Sequence, residues 1–187
     1  MRVHKFLIVL TLTKLVRMCL ALPAAASILL PRSEFCANSP KTIAGTFLAG
    51  RKLVHRSLKV RGPDTILWCA PHTRTYVIIN LIQNVAQTGI MYLLKNAALD
   101  VRQRVAQNGD GLIPNGIYMF DWRTGPWDCQ FYCANSNNHQ QTWAVIDGAI
   151  AAVWDYMLSN NNIGTATFTI YDGGNEVGQG TLEAKYT

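Results

Sequence analysis

The chain predicts an α+β domain, an antiparallel sheet of three or four strands packed on one side by two helices as an α/β sandwich. Three observations predict it. Residues 75–187 hold two stretches with apolar residues at three- and four-residue steps, set between stretches in which apolar and polar residues alternate. The C-terminal "TIYDGGNEVGQGTLEAKY" alternates on both sides of a Gly-Gly pair, as a hairpin does. The 187 residues, 49% of them hydrophobic, suffice for one core.

The elements follow in chain order. Residues 1–26 run from the basic "MRVHK" through the apolar "FLIVLTLT" to the small-residue "ALPAAA", the order of a secretory signal cleaved near Ala26, with Lys14 and Arg17 interrupting the apolar run. Residues 27–74 show no sustained period, and "RKLVHRSLKVRGP" is basic without a clean apolar face, so this stretch reads as a poorly ordered arm, a processed pro-segment or a stretch of mistaken gene model. A basic helix on a membrane surface, using Leu53, Val54, Leu58 and Val60, is the sharper reading of that run, but the four residues are poorly spaced for one face.

Charge follows the same division. Residues 1–74 hold twelve basic and two acidic residues, a net +10, whereas residues 75–187 hold five basic and nine acidic, a net −4. The basic balance therefore belongs to the arm, the domain has no phosphate-tracking face, and nucleic acid is not an expected partner.

From Thr75 to Leu94 no charge appears for 20 residues, the length of a membrane span. Asn80, Gln83, Asn84, Gln87 and Thr88 would place polar groups in hydrocarbon, so "TYVIINLI" reads as a buried strand leading into a helix, and no transmembrane span is expected in the mature protein. Ile90, Leu94, Ala97, Val101 and Val105 mark the apolar face of that helix, which stops at Asn108-Gly109. After Pro114 comes a strand, "IYMFDW", with Ile117, Met119 and Asp121 on one face and Tyr118, Phe120 and Trp122 on the other. Asn138 and Gln141 have the spacing of a capping box that starts a second helix, whose stripe is Trp143, Ile146, Ile150, Val153 and Met157 and whose stop is Asn160 to Gly164. Ala166, Phe168 and Ile170, then Leu182, Ala184 and Tyr186, alternate as the two closing strands. A dinucleotide loop would lead into a helix; here the glycines lead into a strand, with Gly173 and Gly174 turning the chain and Gly178 and Gly180 permitting a bulge or a close approach.

Losing Cys19 with the signal leaves Cys36, Cys69, Cys129 and Cys133, an even set that suits two disulfides in an oxidising compartment with three pairings open. A zinc site from Cys129, Cys133 and His139 lacks the usual two-residue spacing and a fourth ligand, so no metal and no cofactor is expected. The loop "RTGPWDCQFYCANSNNHQQTW" gathers the chemistry-bearing residues. Asp121, Asp128 and His139 are the candidate acid/base residues of a small extracellular hydrolase, with Trp122, Trp127, Tyr132 and His139 as the binding residues that would stack on or hold a target. Asp at a strand end, Asp in a Gly-Pro-Trp loop and His at a helix start are equally ordinary structural placements. No GxSxG elbow occurs, which removes the usual serine-hydrolase signature.

The string "GNEVGQGTLEAKY", preceded by a long helix and a strand, resembles the closing segment of the smut-fungus killer toxin family over about the last 15 residues. The run from Asn137 through Leu182 also resembles small secreted proteins of filamentous fungi with no assigned activity. The resemblance implies a secreted fungal α/β sandwich. Gly174, Asn175, Val177, Gly180, Leu182 and Tyr186 carry it, all hairpin positions, and the cysteines do not follow the toxins' cysteine-rich pattern, so no functional residue is carried over. The expected protein is a monomeric, non-enzymatic, effector- or toxin-like protein that binds an extracellular or cell-surface target.

Overall fold

The computed structural model describes residues 35–48 and 65–187, which belong to one compact unit, Glu34–Thr187. The secretory signal and the apolar residues of the membrane-surface reading lie outside the described residues. A short antiparallel pair, β1 (Phe35–Cys36) and β2 (Ser39–Ile43), comes first. Then follow β3 (Thr65–Cys69), β4 (Thr75–Gln83), helix α1 (Gln87–Asn108), a 3-10 turn at Pro114–Gly116, β5 (Ile117–Thr124) and β6 (Trp127–Asn135). Helix α2 (Trp143–Asn160), β7 (Thr165–Asp172) and β8 (Asn175–Tyr186) complete the fold.

Strands β3 to β8 form one sheet in the order β3-β4-β7-β8-β6-β5, and every neighbouring pair is antiparallel. The α+β class is as expected; the strand count is not, because six strands replace three or four and a two-stranded sheet is added. Two strands were hidden for different reasons. In β6, Cys129, Phe131 and Cys133 alternate with Asp128, Gln130 and Tyr132, but the Gly-Pro turn and the cysteines gave the segment the look of a loop. In β3, "TILWC" is a short apolar run with no alternation, lying inside the stretch assigned to the basic arm.

Both helices cover one face of the sheet. Tyr118 of β5 donates from its hydroxyl to Ala97 O of α1 at 3.3 Å, and Trp68 of β3 packs edge-on against Tyr156 of α2. Ile90, Leu93, Leu94, Ala97 and Val101 of α1 and Trp143, Ile146, Ile150, Val153 and Met157 of α2 are buried against Val77, Ile79, Phe131, Phe168, Ile170 and Leu182 of the sheet. Gly180 is required at the sheet centre, since a Cβ there would enter the ring of Phe168. Between Ile170 and Tyr171 the register with β8 shifts, so the bulge falls at Val177, one residue before Gly178.

The start of α2 corrects the capping-box reading. The helix begins at Trp143 with Thr142 as N-cap, whose hydroxyl oxygen accepts from Val145 N at 3.4 Å. Asp110, distant in sequence, supplies a second acceptor for Ala144 N at 2.9 Å. Asn138 lies in the preceding loop with a left-handed φ of 58°, outside the helix.

The opposite face has its own small core at one end. Cys36 is bonded to Cys69, with Cα atoms 5.5 Å apart, and Cys36, Leu48, Leu67 and Cys69 form a buried cluster on which Ala44, Tyr76 and Ile78 pack. Part of the stretch read as an arm thus covers the outer face of β3 and β4.

Candidate functional site

The β5–β6 hairpin holds most of the chemistry-bearing residues, and strand alternation sorts them onto two faces. Register places Met119 opposite Tyr132, Asp121 opposite Gln130 and Arg123 opposite Asp128, and these side chains stand on the face away from the helices. Trp122 and Trp127 stand on the helix side, half-buried against the main core. The aromatic binding candidates are therefore divided, with Tyr132 on one face and the two tryptophans on the other.

The carboxylates are already engaged. Gln130 Nε2 donates to Asp121 Oδ1 at 2.8 Å. Arg123 donates through Nε to Asp128 Oδ1 and through Nη2 to Oδ2, the latter at 2.8 Å. These hydrogen bonds hold the Asp128 carboxyl below its ordinary value and raise Arg123, so the pair is charged and Asp128 offers no proton near neutral pH. His139 is exposed in the loop beyond the far end of β6, where its backbone N–H donates to Ser136 O at 2.9 Å. Asp128 and Asn135, near the two ends of β6, are about 23 Å apart by strand rise alone. Asp121, Asp128 and His139 therefore share no cleft, and the separations that glycoside hydrolysis needs are absent.

Cys129 and Cys133 are unbridged and buried, which corrects the expectation of two disulfides. The physical reason is strand geometry: both lie on the core face of β6, four residues and about 13 Å apart, whereas a disulfide needs Cα atoms within about 7 Å. Burial pushes the Cys133 thiol up to about 12 and raises Cys129 as well, which disfavours the thiolate that a nucleophile or a metal ligand needs. With His139 exposed in the loop after β6, the three do not converge.

Sequence reasoning missed what surrounds these residues. Ile117 and Met119 are about half exposed, at 49% and 55%, beside Asp121 and Arg123 on the helix-free face. Across β6 and β8 that face continues through Tyr132, Gln130 and Asp128 to Thr181, Glu183 and Lys185. The result is a mixed surface of aliphatic, aromatic and alternating charged groups, without a concave center. The alternation of "IYMFDWRT" carried this signal, but only the sheet order shows that the face is uncovered among the described residues.

Two other features lie apart from this face. A groove of about 420 Å³ opens between the first half of α1 and the end of α2, lined by Gln87, Thr88, Met91, Tyr92, Lys95, Trp154 and Ile163, with one cation and neither carboxylate nor imidazole. Gln141 is fully buried over Gly178, with neither atom of its side-chain amide hydrogen-bonded. No signal in the sequence distinguishes this glutamine from its neighbour Gln140.

Comparison with family models, with curated proteins and with solved structures finds no match to the chain. Among the described residues, no helix is long and apolar enough to cross a membrane.

Proposed function

We propose that the protein is a secreted, non-enzymatic, effector- or toxin-like binding protein that engages an extracellular or cell-surface target through the helix-free face of β5, β6 and β8. The observation that supports this reading is the exposed Ile117 and Met119 set beside Asp121, Arg123 and Tyr132 on a face that nothing covers among the described residues. The Cys36–Cys69 disulfide suits an oxidising compartment, in keeping with the secretory order of residues 1–26. The hydrolase reading receives no support, because its three residues lie apart and its carboxylates are tied to Gln130 and Arg123.

The test uses fluorescently labelled protein purified from culture medium, titrated onto intact cells of other fungi. Binding should saturate, Met119→Glu and Tyr132→Ala should weaken it about tenfold or more, and His139→Ala should leave it unchanged. Equal binding by wild type and Met119→Glu, or selective loss in His139→Ala, would overturn the assignment of the face.

A further inference from the structure

The two edges of the six-stranded sheet are treated differently. At the β3 edge, Ala37 N donates to Leu67 O at 3.0 Å. The Asn38 side chain completes the seal: its Nδ2 donates to Cys69 O at 2.8 Å and its Oδ1 accepts from Cys69 N at 3.2 Å. An amide side chain there imitates the next strand and ends the ladder. At the other edge, β5 pairs only with β6, over eight residues without a register shift, and nothing else among the described residues pairs with it. Edge strands are ordinarily blunted by bulges, proline or charged side chains; β5 has no bulge and no proline, and its two charges, Asp121 and Arg123, are of opposite sign.

We infer that the β5 edge pairs with the β5 edge of a second copy of this chain, antiparallel about a two-fold axis, to give one continuous sheet of twice the width. Antiparallel pairing about such an axis keeps each face of the sheet on the same side, so the two helix layers stay together. The charges then select the register. An axis through Asp121 would set two carboxylates against each other, and one through Phe120 would set Asp121 against Met119 and Arg123 against Ile117. An axis through Trp122 sets Arg123 opposite Asp121 of the second copy, and Asp121 opposite its Arg123, so that Nη1 of each arginine, which Asp128 does not engage, meets Oδ2 of each aspartate, which Gln130 does not engage. The half-buried Phe120 and Trp122 gain cover in the same step. This pairing does not depend on the target-binding reading, and it would set two copies of the proposed binding face side by side.

The test is sedimentation of the purified full chain over a concentration series, with two charge reversals at exposed positions. Wild type should sediment as a concentration-dependent dimer. Asp121→Lys places lysine opposite arginine twice, Arg123→Glu places glutamate opposite aspartate twice, and each should weaken self-association about tenfold or more. An equimolar mixture of the two variants should dimerise again, because each contact in the mixed pair joins opposite charges. Recovery in the mixture also shows that both variants are folded. Wild type remaining a monomer throughout the series, single variants associating as strongly as wild type, or a mixture that stays monomeric would each overturn the proposal.

Discussion

The β3 and β5 edges of the sheet hold the same backbone groups and meet opposite fates. At β3 a disulfide brings a two-stranded hairpin against the sheet, and Asn38 satisfies both backbone groups of Cys69, a residue that is nearly fully buried. At β5 the outer row of N–H and C=O groups has no protein partner among the described residues, and the side chains beside it alternate in sign. One edge is closed by chain that has no strand-like pattern of its own; the other is left open by a strand that has a clear one. An open edge with alternating charge serves association, whereas a sealed edge serves solubility and stability.

The largest effect should come from breaking the seal. Cys36 and Cys69 are 33 residues apart, and removing a cross-link over such a loop lowers stability by about 3 to 4 kcal/mol. Cys36→Ala should therefore show a clearly lower midpoint in urea, together with self-association that Asp121→Lys does not suppress, because it runs through β3. Intact mass should rise by about two hydrogens on reduction, one bridge's worth, since Cys129 and Cys133 are already thiols. A gain of four hydrogens would contradict the single bridge.

Asn38→Ala keeps the disulfide and removes only the imitation strand. Leaving the buried Cys69 N–H and C=O without those partners should cost about 1 to 3 kcal/mol, read from urea denaturation. Unchanged stability would mean that the hairpin alone closes this edge.

The smallest effect near pH 10 belongs to the open end, where Tyr118 of β5 sits directly opposite Cys133 of β6. Burial raises both groups, Tyr118 further through Asp100, whose Oδ2, at 3.0 Å, shares the hydroxyl's hydrogen bond with Ala97 O, and burial raises Cys129 likewise. A raised value means that the folded state keeps protons the unfolded chain gives up. Stability is thus intact below the unfolded thiol value of 9.0 and falls as pH climbs from there toward about 12. Tryptophan fluorescence followed through an alkaline titration should show unfolding in that window, and Cys133→Ala should move its onset upward. An unshifted onset would assign the loss to other groups.

How much was legible depends on which force shaped each element. Helices α1 and α2 and strands β5, β7 and β8 bury one face each, and burial of one face writes its period into the sequence, whereas β4, covered on both faces, shows as a continuous apolar run. Val105 at the end of the α1 stripe packs against the main core, where that period puts it. Strand β3 left no period, and the hairpin before it is held by a disulfide, by the Ala37 N–H and by the Asn38 side chain, single contacts that leave no repeating pattern in the sequence. Asp128 and His139 looked like partners because eleven positions separate them in sequence. An extended strand turns that spacing into distance, while Arg123, five residues from Asp128, returns to it through the hairpin.

By itself the sequence determined the α+β class, the two helices, the closing hairpin and the division of charge between the N-terminal stretch and the domain, because each is written in local period or composition. Tertiary structure alone decided that Cys36 reaches Cys69, that Cys129 and Cys133 stay apart, and that β3 is sealed while β5 is open. Those outcomes depend on which strands become neighbours, and strand order is a non-local choice that no window of residues encodes.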